Sequence, residues 1–160
     1  MLEISELHGD FVLSSGKRSG VYFDKFRFLA DPVLLREVAG AVRELLPEGL
    51  THLAAPEGAA TLLVAAVSLE TGLPVSVVRK DPKAYGTMSQ VEGYAPSGSR
   101  AALIEDVSTT GAQVLKAAQA LEAEGVQIAC VVLALDRGGA DAIREAGVPV
   151  EAVVTLGPTG

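Results

Sequence analysis

Cysteine occurs once in these 160 residues and histidine twice, while a membrane-length apolar run and a surplus of cations are both missing. Each shortage removes a class of function. The single cysteine, Cys130, admits no disulfide within the chain, and its place in the apolar run Ile128 to Leu135 makes it a small buried hydrophobe rather than a nucleophile. His8 and His52 are too few and too isolated for a histidine-built metal centre. No segment approaches the roughly 20 apolar residues that span a bilayer, and the opening Met1-Leu2-Glu3-Ile4-Ser5 has no basic region leading into an apolar one, so a cytoplasmic protein is expected. With 13 Lys and Arg against 20 Asp and Glu the formal net charge is −7, which argues against a nucleic-acid surface because phosphate backbones need clustered cations. An anionic ligand must then be met by local groups. Gly and Pro are spread along the chain, with no low-complexity linker and no internal repeat.

What is present suits one compact domain over residues 1–160: 49% of residues are hydrophobic and 21% charged, enough for a central sheet with flanking helices. Residues 1–27 read as an N-terminal segment with a turn, Ser14 to Gly20, followed by the strand-like Val21 to Asp24. Asp31-Pro32 opens a helix whose core face is Leu35, Val38, Val42, Leu45 and Leu46, stopped by Pro47 and Gly49. His52 to Ala55 is a short strand, Pro56-Glu57-Gly58-Ala59-Ala60 leads into an apolar helix ending near Glu70, and Val75 to Arg79 is the next strand. From Lys80 to Arg100 large apolar residues become few, which predicts a long exposed excursion of the functional kind. Strands Ile128 to Leu135 and Val150 to Leu156 then enclose a short helix, Ala140 to Ala146. Strands alternating with helices imply an α/β fold: an open, mostly parallel sheet with ligands at the carboxyl ends of its strands.

One stretch organises the rest. Ala101 to Ile104 reads as a buried strand, Glu105-Asp106 as two acids ending it, and Val107-Ser108-Thr109-Thr110-Gly111 as a hydroxyl-rich loop before a helix from Ala112 to Glu124. At a helix amino end the backbone N–H groups lack partners and the dipole favours an anion, so the loop suits a phosphate, and the acids before it suit the hydroxyls of an attached sugar. An ordinary capped helix would explain the hydroxyls but not two acids closing a buried run. Arg79, Lys80 and Lys83 place three cations in five positions of an otherwise acidic chain. Such cations would stabilise a leaving group that gains negative charge in the transition state.

Glu105-Asp106-Val107-Ser108-Thr109-Thr110-Gly111 resembles the phosphoribosyl pyrophosphate (PRPP) signature of type I phosphoribosyltransferases. Arg79-Lys80-x-x-Lys83-x-Tyr85-Gly86-Thr87 with Val91-Glu92-Gly93 narrows the resemblance to the flexible catalytic loop of orotate phosphoribosyltransferases, whose usual His is Tyr85 here. Phe11 to Ser19 and Tyr22-Phe23-Asp24 are similar to that family's base-binding segment, with Ser14 where some members carry Lys. Residues 55–60 occupy the place of its pyrophosphate loop, although Gly-Ala-Ala-Thr replaces the usual pattern. Asp136-Arg137-Gly138-Gly139 matches the segment whose Arg meets the orotate carboxylate, on a loop shorter than the family's. The similarity spans residues 9–156. An N-terminal helix and a C-terminal element usual in the family are expected to be missing.

The resemblance implies the type I phosphoribosyltransferase fold with a small N-terminal hood, and the reaction of orotate with PRPP to give orotidine 5′-monophosphate and pyrophosphate. It implies Lys83 as the catalytic cation, and PRPP contacts from Arg79, Lys80, Lys83, Tyr85, Glu105, Asp106, Val107, Ser108, Thr109, Thr110, Gly111, Ala112 and Gln113. Orotate would meet Thr109, Arg137, Ser14 and Phe23. Mg²⁺ would be held through PRPP with no direct protein ligand. A homodimer sharing the catalytic loop across its interface would be the working unit, with no nucleic acid and no membrane as partner. A transferase for another base, or a PRPP-sensing regulator without turnover, are the alternatives. Lys83 favours catalysis over sensing.

Overall fold

The computed structural model describes residues 6–12, 18–82 and 89–156. An N-terminal pair of strands, β1 (Glu6–Val12) and β2 (Arg18–Phe23), forms a separate antiparallel sheet in which Glu6 faces Phe23 and Val12 faces Arg18. Helix α1 (Lys25–Ala30) follows, started by the Asp24 side chain, which accepts from the Phe26 N–H at 3.1 Å. No helix is expected from the sequence before Asp31, and one forms here. It is six residues long, and Phe28 and Leu29, both buried, hold it to the core.

The expected helix at Asp31-Pro32 is α2 (Pro32–Glu44). Asp31 Oδ1 accepts from the N–H groups of Val33 at 2.9 Å and Leu34 at 3.0 Å, with proline at the first helical position where a missing N–H costs nothing. Then come β3 (His52–Pro56), α3 (Ala60–Thr71), β4 (Val75–Val78), β5 (Val91–Gly93), β6 (Arg100–Ser108), α4 (Ala112–Ala123), β7 (Gln127–Asp136), α5 (Gly139–Glu145) and β8 (Val150–Thr155). Helix α3 stops where Gly72 takes the left-handed conformation at φ 73°.

Six strands form the main sheet in the order β5-β4-β3-β6-β7-β8, parallel throughout except for the antiparallel β4–β5 pair. Period-2 alternation divides its side chains between two cores. Leu53, Ala55, Ala102, Ile104 and Val132 pack with Val38, Val42, Leu63 and Val67 of α2 and α3. Ala54, Ala101, Leu103, Val131 and Leu133 pack on the other face with Val114, Ala118, Leu121 and Ile143 of α4 and α5. Burial on both faces is why these strands read as nearly continuous apolar runs.

Two expectations need correction. β6 does not stop at Ile104 but runs on to Ser108, because β7 continues to pair with it as far as Ser108 opposite Asp136, so the two acids belong to the strand. The stretch from Lys80 to Arg100 is not wholly an exposed excursion: Val91–Gly93 pairs with β4, Val91 and Ala95 pack against the second core, and Ser99 is buried. The antiparallel addition covers an edge of β4 that would otherwise present unpaired backbone groups.

Candidate active site

The chain runs from β3 to β4 on one side of the sheet and from β6 to β7 on the other, so the strand order reverses between the neighbours β3 and β6. Beyond the carboxyl ends of strands at such a switch point the outgoing loops separate and leave a crevice. Helices α3 and α4 leave from these two strands and pack on opposite faces, and neither amino end is capped by a side chain from its N-cap residue. Both therefore turn the positive ends of their dipoles toward the carboxyl edge of the sheet, a setting for a ligand carrying anionic groups at two points.

The loop after β6 is short. Thr109 and Thr110 are exposed and Gly111, the N-cap of α4, is buried with φ 74°. The Thr110 hydroxyl lies 3.4 Å from the Ala112 N–H, a weak contact. A cavity of about 100 Å³ is lined by Glu105, Val107, the loop itself and α4 residues Ala112, Gln113 and Val114, which brings together most of the residues expected to hold PRPP. The loop after β7 is wedged against it. The Arg137 N–H donates to the Ser108 carbonyl at 2.8 Å, and a Cβ on Gly139 would lie 2.0 Å from Ser108 Oγ and 2.9 Å from the Gly111 nitrogen. A Cβ on Gly111 would in turn lie 2.7 Å from the Gly139 carbonyl oxygen. Asp136 Oδ1 fixes the second loop by accepting from the N–H groups of Gly138 at 2.9 Å and Ala140 at 3.1 Å.

Both acids were expected to face the adjoining group. In an extended strand consecutive side chains point to opposite faces. Glu105, 3% exposed, lines the loop cavity, while Asp106, fully buried, is not among its lining residues. The Asp106 N–H donates to Glu105 Oε1 at 3.2 Å.

Arg79 and Lys80 follow β4, half-buried and exposed respectively, and border a small pocket with Pro56, Val78, Gln90, Gln113, Lys116 and Ala117. Gln113 thus touches both the cation pocket and the loop cavity, so the two groups of predicted PRPP residues meet at the start of α4. Lys83, Tyr85 and Ser14 lie outside the described residues, and so does the side chain of Phe23, whose backbone ends β2. Arg137 is half-buried beside Ser108. Among the described residues no three His, Cys, Asp or Glu side chains gather to hold a metal ion, and no helix is long and apolar enough to cross a membrane.

Four residues at this edge went unread in the sequence. Lys116 stands one helical turn beyond Gln113, a spacing from which a shared face could have been read. Asp136, two residues before Gly138-Gly139, carries the signature of a side chain folding back on its own turn. Glu57 lies in the connection after β3, where its Oε1 accepts from the Lys80 N–H at 2.7 Å, a partner 23 positions away. Nothing local marks Gln90, whose side chain donates to the carbonyls of Arg79 at 2.8 Å and Lys80 at 3.3 Å.

No family model matches the chain. It is similar to curated proteins named orotate phosphoribosyltransferase: that of Methanopyrus kandleri is 41% identical over 158 residues, 97% of this chain and 85% of that protein. The Thermococcus gammatolerans protein is 45% identical over 134 residues, 82% of this chain and 71% of the relative. Among solved structures, the orotate phosphoribosyltransferase of Aeropyrum pernix superposes with a TM-score of 0.83 at 32% identity, covering 95% of this chain and 88% of that one. The Mycobacterium tuberculosis H37Rv enzyme in complex with 5-phospho-α-D-ribosyl 1-diphosphate gives 0.81 at 26%, covering 97% and 91%.

Proposed function

Since this chain belongs to the orotate phosphoribosyltransferase family, we propose that it transfers the 5-phosphoribosyl group of PRPP to orotate, giving orotidine 5′-monophosphate and pyrophosphate for UMP in de novo pyrimidine synthesis. The observation that carries this reading is the crevice between β3 and β6, where the amino end of α4, a cavity bounded by Glu105 and the pocket bordered by Arg79 and Lys80 meet at Gln113.

The 5′-phosphate is assigned to the loop from Val107 to Gln113, where backbone N–H groups and the Ser108, Thr109 and Thr110 hydroxyls can hold it. Glu105 lines the same cavity and would accept from the ribose hydroxyls. Asp106, whose N–H donates to Glu105 Oε1, is proposed to orient the ribose together with it. Displacement breaks the bond between the anomeric carbon and the diphosphate oxygen, whose electron pair leaves with pyrophosphate, and forms the bond from that carbon to an already ionised ring nitrogen of orotate. No general base is required. Charge grows on the departing oxygen while the sugar becomes oxocarbenium-like, so Arg79, Lys80 and Lys83 would bind the transition state more tightly than the ground state. Arg137, Thr109, Ser14 and Phe23 are the proposed contacts to orotate, the guanidinium fork suiting a planar carboxylate. Tyr85 is proposed as a further PRPP contact.

The magnesium ion is proposed to arrive with PRPP, held by the diphosphate and ribose hydroxyls, and among the described residues no three His, Cys, Asp or Glu side chains gather to hold it. When bound it would neutralise charge on the leaving diphosphate. Residues 1–160 are proposed to work as one unit in a cytoplasmic homodimer. An absorbance assay with PRPP and Mg²⁺ across orotate, uracil, adenine and hypoxanthine tests the reading: turnover of orotate alone supports it, and preference for another base overturns it. Lys83→Ala is expected to lower kcat by about 100-fold or more with PRPP binding largely kept. Unchanged turnover would remove Lys83 from the mechanism.

A further inference from the structure

We propose that Glu57 is a positioning residue that aims the cation pair Arg79 and Lys80 by gripping their backbone, with Gln90 completing the grip from the opposite side. The proposal rests on the reading of those two cations as ligands of the PRPP diphosphate.

The β3–β4 ladder ends at Pro56 opposite Val78, one residue before the loops diverge. Glu57 prolongs it. Its N–H donates to the Val78 carbonyl at 2.8 Å, and its carboxylate then reaches forward to accept from the Lys80 N–H at 2.7 Å. From the β5 side the Arg79 N–H donates to the Gln90 carbonyl at 2.8 Å, while the Gln90 side-chain amide donates to the carbonyls of Arg79 at 2.8 Å and Lys80 at 3.3 Å. All four backbone polar groups of the dipeptide are thus held by Glu57 and Gln90 among the described residues. Lys80 is an exposed position, where water would satisfy the same groups without fixing them. Two long side chains spend rotamer freedom to hold it, an expenditure that orientation of the cations would justify.

The acid at position 57 sharpens the inference. An anion next to a site for a polyanion repels its ligand unless it is committed elsewhere, and a bond from an ionised acceptor to a backbone N–H is of the short, strong kind seen here. Gln at 57 would keep an acceptor oxygen without the charge, and Ala would keep neither. The hold is therefore separable from the charge by substitution.

The test measures PRPP binding by calorimetry with Mg²⁺, alongside kcat and KM for each substrate, in the parent protein and in Glu57→Ala, Glu57→Gln and Arg79→Ala/Lys80→Ala, with and without Glu57→Ala. Glu57→Ala is expected to weaken PRPP binding about 10-fold or more, with KM for orotate moving less than about twofold and the melting temperature nearly unchanged. Glu57→Gln should restore most of the loss, and Glu57→Ala should cost nothing further once both cations are gone. A loss of the same size in the Arg79→Ala/Lys80→Ala background, or equal effects on PRPP and orotate, overturns the assignment. PRPP binding is read without any base, so a parent protein that binds PRPP but ignores orotate would refute the proposed reaction and leave the test of Glu57 intact.

Discussion

Replacing Gly111 with alanine puts a number on the contact between the loops after β6 and β7. Two costs add at this position. The φ of 74° is left-handed, which costs a residue with a Cβ about 1 kcal/mol. The new methyl would also lie 2.7 Å from the Gly139 carbonyl oxygen and 3.1 Å from Ile143 Cγ1, and a backbone atom cannot swing aside as a side-chain end can. Forcing a group into such a space costs about 1–3 kcal/mol. Gly72 supplies the control: its φ is 73°, and a Cβ there meets nothing within 4 Å, so Gly72→Ala carries the conformational cost alone. The expected difference between the variants is therefore about 1–3 kcal/mol in urea unfolding, or roughly 2–12 °C in melting temperature for a domain of this size. If the two variants melt within about 1 °C of each other, the loops are not in rigid contact and the cavity behind them is not held as described. A Gly111→Ala protein that keeps its fold should also bind PRPP more weakly than Gly72→Ala.

His52 is fully buried at the start of β3, its ring edge-on to Tyr94 at 5.8 Å, and burial lowers its pKa from 6.5. The folded state therefore resists protonation that the unfolded state accepts, so this contribution is whole above about pH 6.5 and is lost as pH falls below it. His52→Gln should flatten the stability profile between about pH 5.5 and 7, and an unchanged slope would refute the role. Burial pushes the Cys130 thiol up to about 11 from 9.0, the nearby Glu151 adding to it and Arg100 opposing it. A thiol reagent at about pH 8 should leave the native protein unlabelled and react fully in urea. The contribution of this thiol to stability should fade as pH rises from about 9 to 11, and Cys130→Ala should remove that part of the alkaline slope. Asp31→Ala removes the acceptor for the first N–H groups of α2 and should cost about 1 kcal/mol, seen as a fall of about 2–4 °C in melting temperature.

The parallel sheet was legible because β3, β6 and β7 are buried on both faces and write themselves as apolar runs, and because Asp31-Pro32 and Gly72 punctuate helices in standard ways. The grouping of loop residues 108–113 into one cavity wall could be read from a hydroxyl-rich strand-to-helix junction. What escaped was set by pairing with distant chain. Nothing near Glu105 and Asp106 says that β7 will carry the ladder past them and set both acids inside a strand. Val91–Gly93 is too short to announce itself and becomes a strand only because β4 offers an edge. Glu57 and Lys80 are bonded across 23 positions, a relation no local pattern contains.

The glycine-to-glycine seam between the loops after β6 and β7 also bears on how base preference could change. Ser108, Gly111 and Gly139 leave no room for a Cβ at either glycine, so, on the proposed contacts, a side chain introduced at Gly139 would disturb the loop after β6 along with the Arg137 end. On the proposed contacts, a change of nucleobase is better sought in the N-terminal hairpin, whose strands form a sheet separate from the one that carries the seam.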